Sequence, residues 1–235
     1  MREQARSASA EPEEILDRLD LPLDETRTAL RDLERVTLWS IGRRALRTTL
    51  LPRLYAMPRP VHTVLDVAAG AGDSTAALQR SAGGRGVALE VISLDRKLSH
   101  LVVGRSQGYI QRPVVGLAES LPFGERCFDW AVSSLFFHHL DDERKQGVGR
   151  EMRRVSRQGA VVVDLRRSRW AAWVLRGLSP ILGLGQVALR DGIVSVARSW
   201  TIREWRVFLS GQRFELRRRF PARLSVVLPP LPSRD

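Results

Sequence analysis

A short run of small and acidic residues in the first third of the chain could hold a ligand directly against the main chain. An apolar segment, residues 61–67, carries Asp66 near its end and leads into small residues that stop at Asp73. Small residues let the backbone turn sharply after a strand, and a helix opened by Asp73 would present unpaired N–H groups. The pattern is typical of a nucleotide-type cofactor site. Its candidate residues are Asp66, Ala68, Gly70, Gly72 and Asp73.

Two later segments could complete such a site. Asp95 ends a second apolar segment, and a carboxylate at the end of the second strand in this type of sheet can bond ribose hydroxyls. Residues 116–123 follow, with the sequence Gly-Leu-Ala-Glu-Ser-Leu-Pro-Phe. The chain lacks a Gly-x-Gly-x-x-Gly pattern with a second nucleotide half, which disfavours a dinucleotide dehydrogenase. It also lacks a Gly-x-x-x-x-Gly-Lys-Ser/Thr loop, which disfavours a nucleoside triphosphatase.

The elements that must position these residues alternate along the chain. Short apolar runs predict strands at 63–67, 88–94, 114–115, 130–133 and 160–165. Helical periodicity predicts helices at 73–81, 98–105 and 141–156. A capped helix from Thr201 and two short strands near 214–220 and 224–228 follow. The alternation predicts an α/β fold with a doubly wound, mostly parallel sheet.

The segments outside this alternation predict a helical cover. Residues 1–10 have the composition of a disordered tail, and helical spacing appears around residues 15–19 and again around 30–38. Asp24 is placed to cap the second of these helices. We expect residues 11–60 to form an N-terminal helical lid over one domain, residues 61–235, with a helical insertion at about 168–192.

The composition excludes several classes of protein. The chain has 235 residues, a formal net charge of +12 and one cysteine, Cys127, so an internal disulfide and a cysteine-rich zinc site are excluded and we expect no metal. The N-terminal residues lack the apolar core of a secretory signal. The apolar stretch 170–189 is interrupted by Arg176 and Pro180, so we expect a cytoplasmic protein without a transmembrane segment.

Taken together, these segments resemble those of class I S-adenosylmethionine (SAM)-dependent methyltransferases. Within that superfamily the chain is similar to methyltransferases related to quinone biosynthesis enzymes, especially bacterial ones associated with polyketide pathways. The resemblance runs from about Ile15 to Leu228. It rests on residues 65–73, 95, 121–123, 128–129, 133–140, 151–155, 164–168 and 191–201. It implies a Rossmann-like fold with an antiparallel C-terminal strand, SAM as cofactor and S-adenosylhomocysteine (SAH) as product.

The resemblance implies three groups of cofactor-binding residues. Those around the methionine moiety and the ribose edge are Asp66, Ala68, Gly70, Gly72 and Asp73. Those around the ribose hydroxyls and the adenine are Asp95, Arg96, Leu117, Ala118 and Glu119. Those that face the methyl-bearing sulfonium are Ser133 and Ser134. At Leu117 the family commonly has an aspartate that accepts from the adenine amino group, and its loss removes a hydrogen bond with a net value of about 1 kcal/mol.

Two histidines after the fourth predicted strand could help the transfer. Methyl transfer from a sulfonium is a direct displacement that needs alignment and often a base for the acceptor. His138 and His139 have the side chain whose ordinary pKa suits that task, and His139 is the preferred candidate. The alternative is a structural role, in which one histidine caps the next helix or packs inside.

The absence of two sequence motifs narrows the classes of methyl acceptor that are compatible with this chain. Residues 133–136 do not form the Asn/Asp-Pro-Pro-aromatic motif of amino-group methylation on bases, and Cys127 has the setting of a core or turn residue. Nucleic acid as a partner therefore rests on net charge alone. We expect O- or C-methylation of a small hydrophobic acceptor, aromatic or like a quinone or polyketide. Its predicted contacts are Trp39, Phe137, Trp170 and Trp173.

Two other functions and two assembly states stay open at this point. The net charge is compatible with an RNA-binding or RNA-modifying protein on the same fold. Leu117 is compatible with a catalytically silent relative that serves as a partner-binding module. The apolar insertion with its flanking arginines could rest on a membrane surface. The chain could be a monomer or a homodimer.

Overall fold

Two helices precede the sheet in the computed structural model, which describes residues 21–39, 42–57 and 59–232. They are α1 (Leu23–Trp39) and α2 (Gly42–Tyr55). The predicted tail and the helical spacing around residues 15–19 lie outside the described residues. Asp24 lies inside the first turn of α1 rather than at its cap, because the first helical hydrogen bond already runs from Thr26 N to Pro22 O (2.8 Å).

Within the described residues, seven strands form one mixed sheet. They are β1 (Val61–Val67), β2 (Ala88–Asp95), β3 (Arg112–Val115), β4 (Trp130–Ser134), β5 (Ala160–Leu165), β6 (Glu215–Arg219) and β7 (Arg223–Leu228). Their order is β3-β2-β1-β4-β5-β7-β6. Strands β1 to β5 run parallel, and β7 runs antiparallel to both β5 and β6. The doubly wound, mostly parallel sheet with an antiparallel C-terminal strand is confirmed.

Helices cover both faces of this sheet. They are α3 (Asp73–Gly83), α4 (Leu98–Ser106), α5 (Asp142–Val155), α6 (Arg169–Leu182), α7 (Gln186–Arg198) and α8 (Ile202–Phe208), with a 3₁₀ helix at Phe137–His139. The cap predicted at Thr201 is present as a capping box, since Thr201 Oγ1 accepts from Glu204 N and the Glu204 carboxylate accepts from Thr201 N. Helices α6 and α7 occupy the region where an insertion was expected.

Alternate side chains of the central strands pack into two apolar layers. On β1, Val64 belongs to the layer with Leu50 of α2, whereas Leu65 belongs to the layer with Met152 of α5 and Trp205 of α8. Near-continuous apolar strands are typical of a parallel sheet that is buried on both faces. Because all five parallel strands end at one edge, the loops that follow them meet there.

Close packing between α4 and the β1–α3 turn holds that turn in place. A Cβ atom at Gly104 would overlap the carbonyl oxygen of Ala71 and would lie 2.6 Å from Ile110 Cδ1. Gly104 is buried. A larger residue at this helical position would therefore have to displace the turn or the helix.

We predict that Gly104→Ala lowers the free energy of unfolding by about 1–3 kcal/mol, because the added methyl overpacks a contact with main chain. The matched control is Gly147→Ala in α5, where a Cβ would meet nothing within 4 Å. That control should raise the free energy of unfolding by about 0.5–1 kcal/mol, since alanine is the better helix former. Denaturant unfolding of both variants measures the difference. Equal effects of the two substitutions would contradict the proposed contact.

Candidate functional site

A cavity of about 580 Å³ opens at the carboxyl ends of the parallel strands. Its walls come from the loops after β1, β2, β3 and β4, and part of its cover comes from α1. This edge is where ligands bind in open α/β sheets. The cavity brings together most of the predicted cofactor residues. Those that line it are Asp66, Ala68, Gly70, Asp73, Asp95, Arg96, Leu117, Ala118, Glu119 and Ser134.

The β1–α3 turn owes its shape to three residues in the left-handed region of backbone conformation. Their φ angles are 55° at Ala68, 56° at Gly70 and 74° at Gly72. A Cβ at Gly70 would meet nothing within 4 Å, so the main chain there is open to the cavity. A Cβ at Gly72 would lie 2.6 Å from Ile110 Cγ1, and Gly72 is the N-cap of α3. Gly72 therefore shapes the turn from behind, whereas Gly70 faces the cavity.

Asp95 ties the end of β2 to this turn. Its Oδ2 accepts from Gly70 N at 2.8 Å, and its Oδ1 accepts from Lys97 N at 2.9 Å. Burial alone would raise the pKa of Asp95, but hydrogen bonding and the charge of His100, together with the two main-chain donors, hold it below its ordinary value. The carboxylate is therefore ionised at neutral pH. Two oxygens offer about four acceptor positions, so further donors can still be accepted.

Asp66 lies buried beneath the turn. Its Oδ2 accepts a 2.5 Å hydrogen bond from Thr75 Oγ1. Burial raises the pKa of Asp66 to about 7; the hydrogen bond from Thr75 acts against this rise, while Asp73 and Asp95 add to it. The carboxyl group thus titrates near neutral pH, and a cation in the cavity would favour its ionised form.

The loop after β3 forms the wall that the resemblance assigns to adenine. Ser120 N donates to Leu117 O at 3.3 Å, which closes a tight turn. Leu117 is 57% exposed at the cavity edge, whereas Ala118 is buried. The Glu119 carboxylate accepts from Arg144 Nε at 2.8 Å. At the position where the family commonly has aspartate, this wall is aliphatic.

The end of β4 presents a hydroxyl to the cavity. Ser134 lines the cavity, whereas Ser133 is fully buried in the strand and does not. Neither Oγ atom has a hydrogen-bond partner among the described residues. Leu135 follows with a left-handed φ of 58° and donates its N–H to Val163 O at 2.8 Å. A buried hydroxyl without a partner is costly, so Ser134 is suited to bond a ligand.

The two histidines have different environments. His138 is buried, and both its main-chain N (2.8 Å) and its Nδ1 (2.6 Å) bond the carboxylate of Asp164 at the end of β5. Burial would raise the pKa of Asp164, but the charge and the hydrogen bond of His138 outweigh it and the pKa is lowered. His139 lines the cavity, with its ring centroid 4.1 Å from that of His138. His138 is thus anchored, and His139 faces the cavity.

A charged network ties α1 to the β1–α3 turn. Glu34 Oε1 accepts from Arg43 Nη2 and from Tyr109 Oη, both at 2.7 Å. Arg43 Nε donates to Asp73 Oδ2 at 2.8 Å. Asp73 is the first residue of α3 after its N-cap, where a carboxylate interacts favourably with the helix dipole. This network links three helices beside the cavity.

Apolar side chains form part of the remaining cavity lining, beside polar and charged ones. Leu30 and Leu33 reach it from α1, and Leu135 and Phe136 reach it from the loop after β4. Arg198 of α7 adds a guanidinium group. The apolar part of the lining could take a hydrophobic group of a ligand, and the polar part could fix its orientation.

Three of the four residues predicted to contact the acceptor, namely Phe137, Trp170 and Trp173, do not line this cavity. Phe137 is buried in the core, with its ring 6.0 Å from that of Trp205, because the 3₁₀ helix directs it toward the sheet. Trp170 and Trp173 are exposed on α6. Their placement follows from helical periodicity, since α6 turns another face toward α7. The side chain of Trp39 lies outside the described residues.

Several site residues escaped the sequence prediction. His100 lines the cavity with its Nδ1 3.5 Å from Asp95 Oδ1, and Lys97 is buried beside it. Their closeness to Asp95 at the start of a predicted helix could have indicated them. Glu34 and Arg43 carried no such signal, because their contacts join segments that are far apart in sequence. Cys127, expected in a core or turn, is exposed.

The described residues contain neither a metal-binding cluster nor a membrane-spanning helix. None of their His, Cys, Asp and Glu side chains form a group of three or more that could hold a metal ion. None of the helices in this part of the chain is long and apolar enough to cross a membrane.

Comparison with known proteins assigns the central part of the chain. Residues 64–159 match a family model described as a methyltransferase domain. The chain is 34% identical over 119 residues to the uncharacterized methyltransferase sll0829 of Synechocystis, covering 48% of this chain and 52% of that protein. It is 37% identical over 115 residues to the ubiquinone/menaquinone biosynthesis C-methyltransferase UbiE of Burkholderia mallei, covering 47% and 45%. The chain spans about half the length of these curated relatives.

A solved structure extends the likeness to most of the fold. The plantazolicin methyltransferase BamL, solved with a triazolic desmethylPZN analog and SAH, superposes with a TM-score of 0.62. It is 14% identical, and the match covers 87% of this chain and 91% of that one, so this likeness concerns the fold. Residues 64–159 thus match a methyltransferase domain, and the fold of most of the chain is similar to that of a solved methyltransferase.

We predict that Ala68→Gly raises the free energy of unfolding by about 0.5–1 kcal/mol, because a left-handed φ of 55° strains alanine and not glycine. The control is Ala71→Gly in the same turn, where φ is not positive. That change should lower the free energy of unfolding by about 0.4–1 kcal/mol through the entropy of the unfolded chain. Denaturant unfolding measures both. A loss of stability in both variants would show that Ala68 is not strained.

Proposed function

We propose that the chain transfers a methyl group from SAM to a small hydrophobic acceptor, at oxygen or carbon. One observation carries this proposal: the main chain at Gly70 and the Asp95 carboxylate meet in a cavity that Leu30, Leu33 and Phe136 also line. A polar end suits the nucleoside and amino acid parts of a cofactor. An apolar part suits an acceptor that is poorly soluble in water.

The residues at the polar end fit SAM. The space around Gly70 lets a ligand lie against the main chain, and the ionised Asp95 can accept from ribose hydroxyls. Asp66, Asp73 and Asp95 together supply negative charge beside this space. SAM supplies an electrophilic methyl group on a cationic sulfur. We assign Asp66, Ala68 and Gly70 to the methionine side and Ala118 to the adenine side.

The acceptor class is supported by the lining and by the relatives. Leu30, Leu33 and Phe136 would exclude water from the acceptor, and α1 would complete the enclosure. UbiE is named as a C-methyltransferase of ubiquinone and menaquinone biosynthesis, and it matches about half of this chain. We therefore infer an aromatic acceptor of quinone-like or polyketide-like chemistry.

The protein groups would act mainly by positioning. Holding the acceptor in line with the methyl group supplies most of the catalysis, because displacement needs alignment of three atoms. His139 is placed to take the acceptor proton, since its ring faces the cavity. His138 acts through its neighbour as a positioning residue, since its ring and main chain are both bonded to Asp164.

We predict that the protein binds SAM and that Asp95→Ala weakens this binding roughly 10- to 150-fold, because hydrogen bonds to a charged group contribute about 1.5–3 kcal/mol. Calorimetric titration with SAM and SAH measures the affinity. The control is Glu90→Ala on the same strand, since Glu90 is exposed and its carboxylate pairs with Arg112 at 2.8 Å. This control should bind normally.

Two outcomes of that titration would contradict the assignment. Absence of binding at millimolar SAM by a protein with native circular dichroism would rule out the methyltransferase activity. Normal binding by Asp95→Ala would show that the cofactor lies elsewhere.

We predict that SAM binding strengthens with pH between 6 and 8. With the pKa of Asp66 at about 7, the carboxylate is ionised in only about a tenth of molecules at pH 6 and about nine tenths at pH 8. Since the cationic ligand favours the ionised form, affinity should rise by up to roughly tenfold. In Asp66→Asn, the part of the pH dependence of SAM affinity that comes from Asp66 should be lost. Only the part that comes from the amino group of SAM should remain. Identical pH profiles for the two proteins would contradict the role of Asp66.

A further inference from the structure

The outer face of α6 is apolar and exposed. Trp173 and Ile181 are 71% and 72% exposed, and Trp170 and Val174 are also exposed. Positions 170, 173, 174, 177 and 181 share one face of a helix, and Gly177 extends the same exposed stripe. Two exposed tryptophans on one helix face are unusual for a surface that meets only water.

The opposite face of α6 is already occupied. Leu175 packs so closely on α7 that a Cβ at Gly192 would lie 2.8 Å from Leu175 Cδ2, and Ser179 is buried. The exposed stripe therefore does not result from a helix that lacks a partner on its inner side. It is a second apolar face, directed outward.

The charged side chains of the segment that carries this stripe are all basic, although Glu204 pairs with Arg167 and Asp32 accepts from Gly185 N. Residues 165–190 contain five arginines and no aspartate, glutamate or lysine. Arg176 lies exposed on α6 itself, and Arg190 lies exposed on α7. Tryptophans beside arginines, without acidic residues, are typical of helices that lie in the interface of a membrane. Since no described helix can span a bilayer, such a helix would lie on the surface.

We propose that α6 docks this protein on an anionic lipid surface, with Trp170, Trp173 and Ile181 inserted among the acyl chains and the neighbouring arginines on the headgroups. A second copy of the chain fits this face less well. A twofold interface would bring the same patch against itself, so the exposed Arg176 and Arg190 would meet a surface that carries the same arginines. Anionic headgroups supply the complementary charge.

The docked face is close to the proposed acceptor site. Helix α6 packs on α7. Helix α7 contacts the 3₁₀ helix that carries His139, and α7 also contributes Arg198 to the cavity. A hydrophobic acceptor dissolved in the bilayer would thus be delivered one helix layer from the cavity. This delivery role rests on the proposed function, whereas docking itself does not depend on it.

Sedimentation with lipid vesicles tests the docking in the absence of SAM and acceptor. We expect binding to phosphatidylcholine vesicles that contain phosphatidylglycerol, weak binding to phosphatidylcholine alone, and a decrease with added salt. The double substitution Trp170→Ser, Trp173→Ser should lower the partition coefficient roughly tenfold or more. The control is Val207→Ser on α8, where valine is 66% exposed. That variant should bind as the parent does.

Three results would overturn the proposal. The first is that the protein does not bind anionic vesicles. The second is that the tryptophan variant binds them as well as the parent does. The third is that light scattering shows the parent to be a dimer and the tryptophan variant to be a monomer. The last result would assign the face to a second copy. SAM titration of the same tryptophan variant is a separate measurement, and it should be unchanged. Its outcome tests the proposed function independently of vesicle binding.

Discussion

The hydrogen bond between the Asp95 carboxylate and Gly70 N organises the candidate site. It joins the end of β2 to the turn after β1, and it can form only because the turn passes through left-handed conformations at Ala68, Gly70 and Gly72. Those conformations bring the main chain close to its neighbours, which leaves no room for a side chain at Gly72. The same closeness explains why Gly104 of α4 must lack a side chain where it meets Ala71. Strain and close packing at one turn thus produce an open stretch of main chain beside a fixed carboxylate.

The sequence predicted this half of the site well because its signals are local. Alternating apolar runs defined the strands, and Asp95 could be placed beside the β1–α3 turn since neighbouring parallel strands end at one edge. The sequence could not predict Glu34, whose partners are Arg43 in α2 and Tyr109 in the loop after α4. It also assigned Trp170 and Trp173 to the cavity from their residue type alone. Which face a helix buries depends on how its neighbour packs, and here the contact of Leu175 with Gly192 turned both tryptophans outward.

The family match contains the turns after β1, β2 and β3, where the sequence prediction agreed best with the structure, but it also contains Lys97, His100 and Phe137, where the prediction failed. The match ends at Gly159 and excludes α1, α6 and α7. Residues that bind a shared cofactor can be similar across relatives with unlike acceptors, whereas the cover must differ with the acceptor. Under the proposed function, Leu30, Leu33 and Arg198 are therefore the cavity residues most informative about the acceptor.

The overall charge of the chain is positive, whereas three aspartate carboxyl groups line its cavity, and these two features favour ligands of opposite charge. The chain has a net charge of +12, yet Asp66, Asp73 and Asp95 all line one cavity. A local group of carboxylates can attract a cationic ligand at short range even where the overall field repels it, since fields from distant exposed charges are screened within about 10 Å at ordinary salt. The surplus arginines act on larger partners, and a flat anionic surface engages many of them at once. The proposed cationic cofactor and the proposed anionic surface are therefore compatible with each other, because short-range carboxylates would act on the first and exposed arginines on the second.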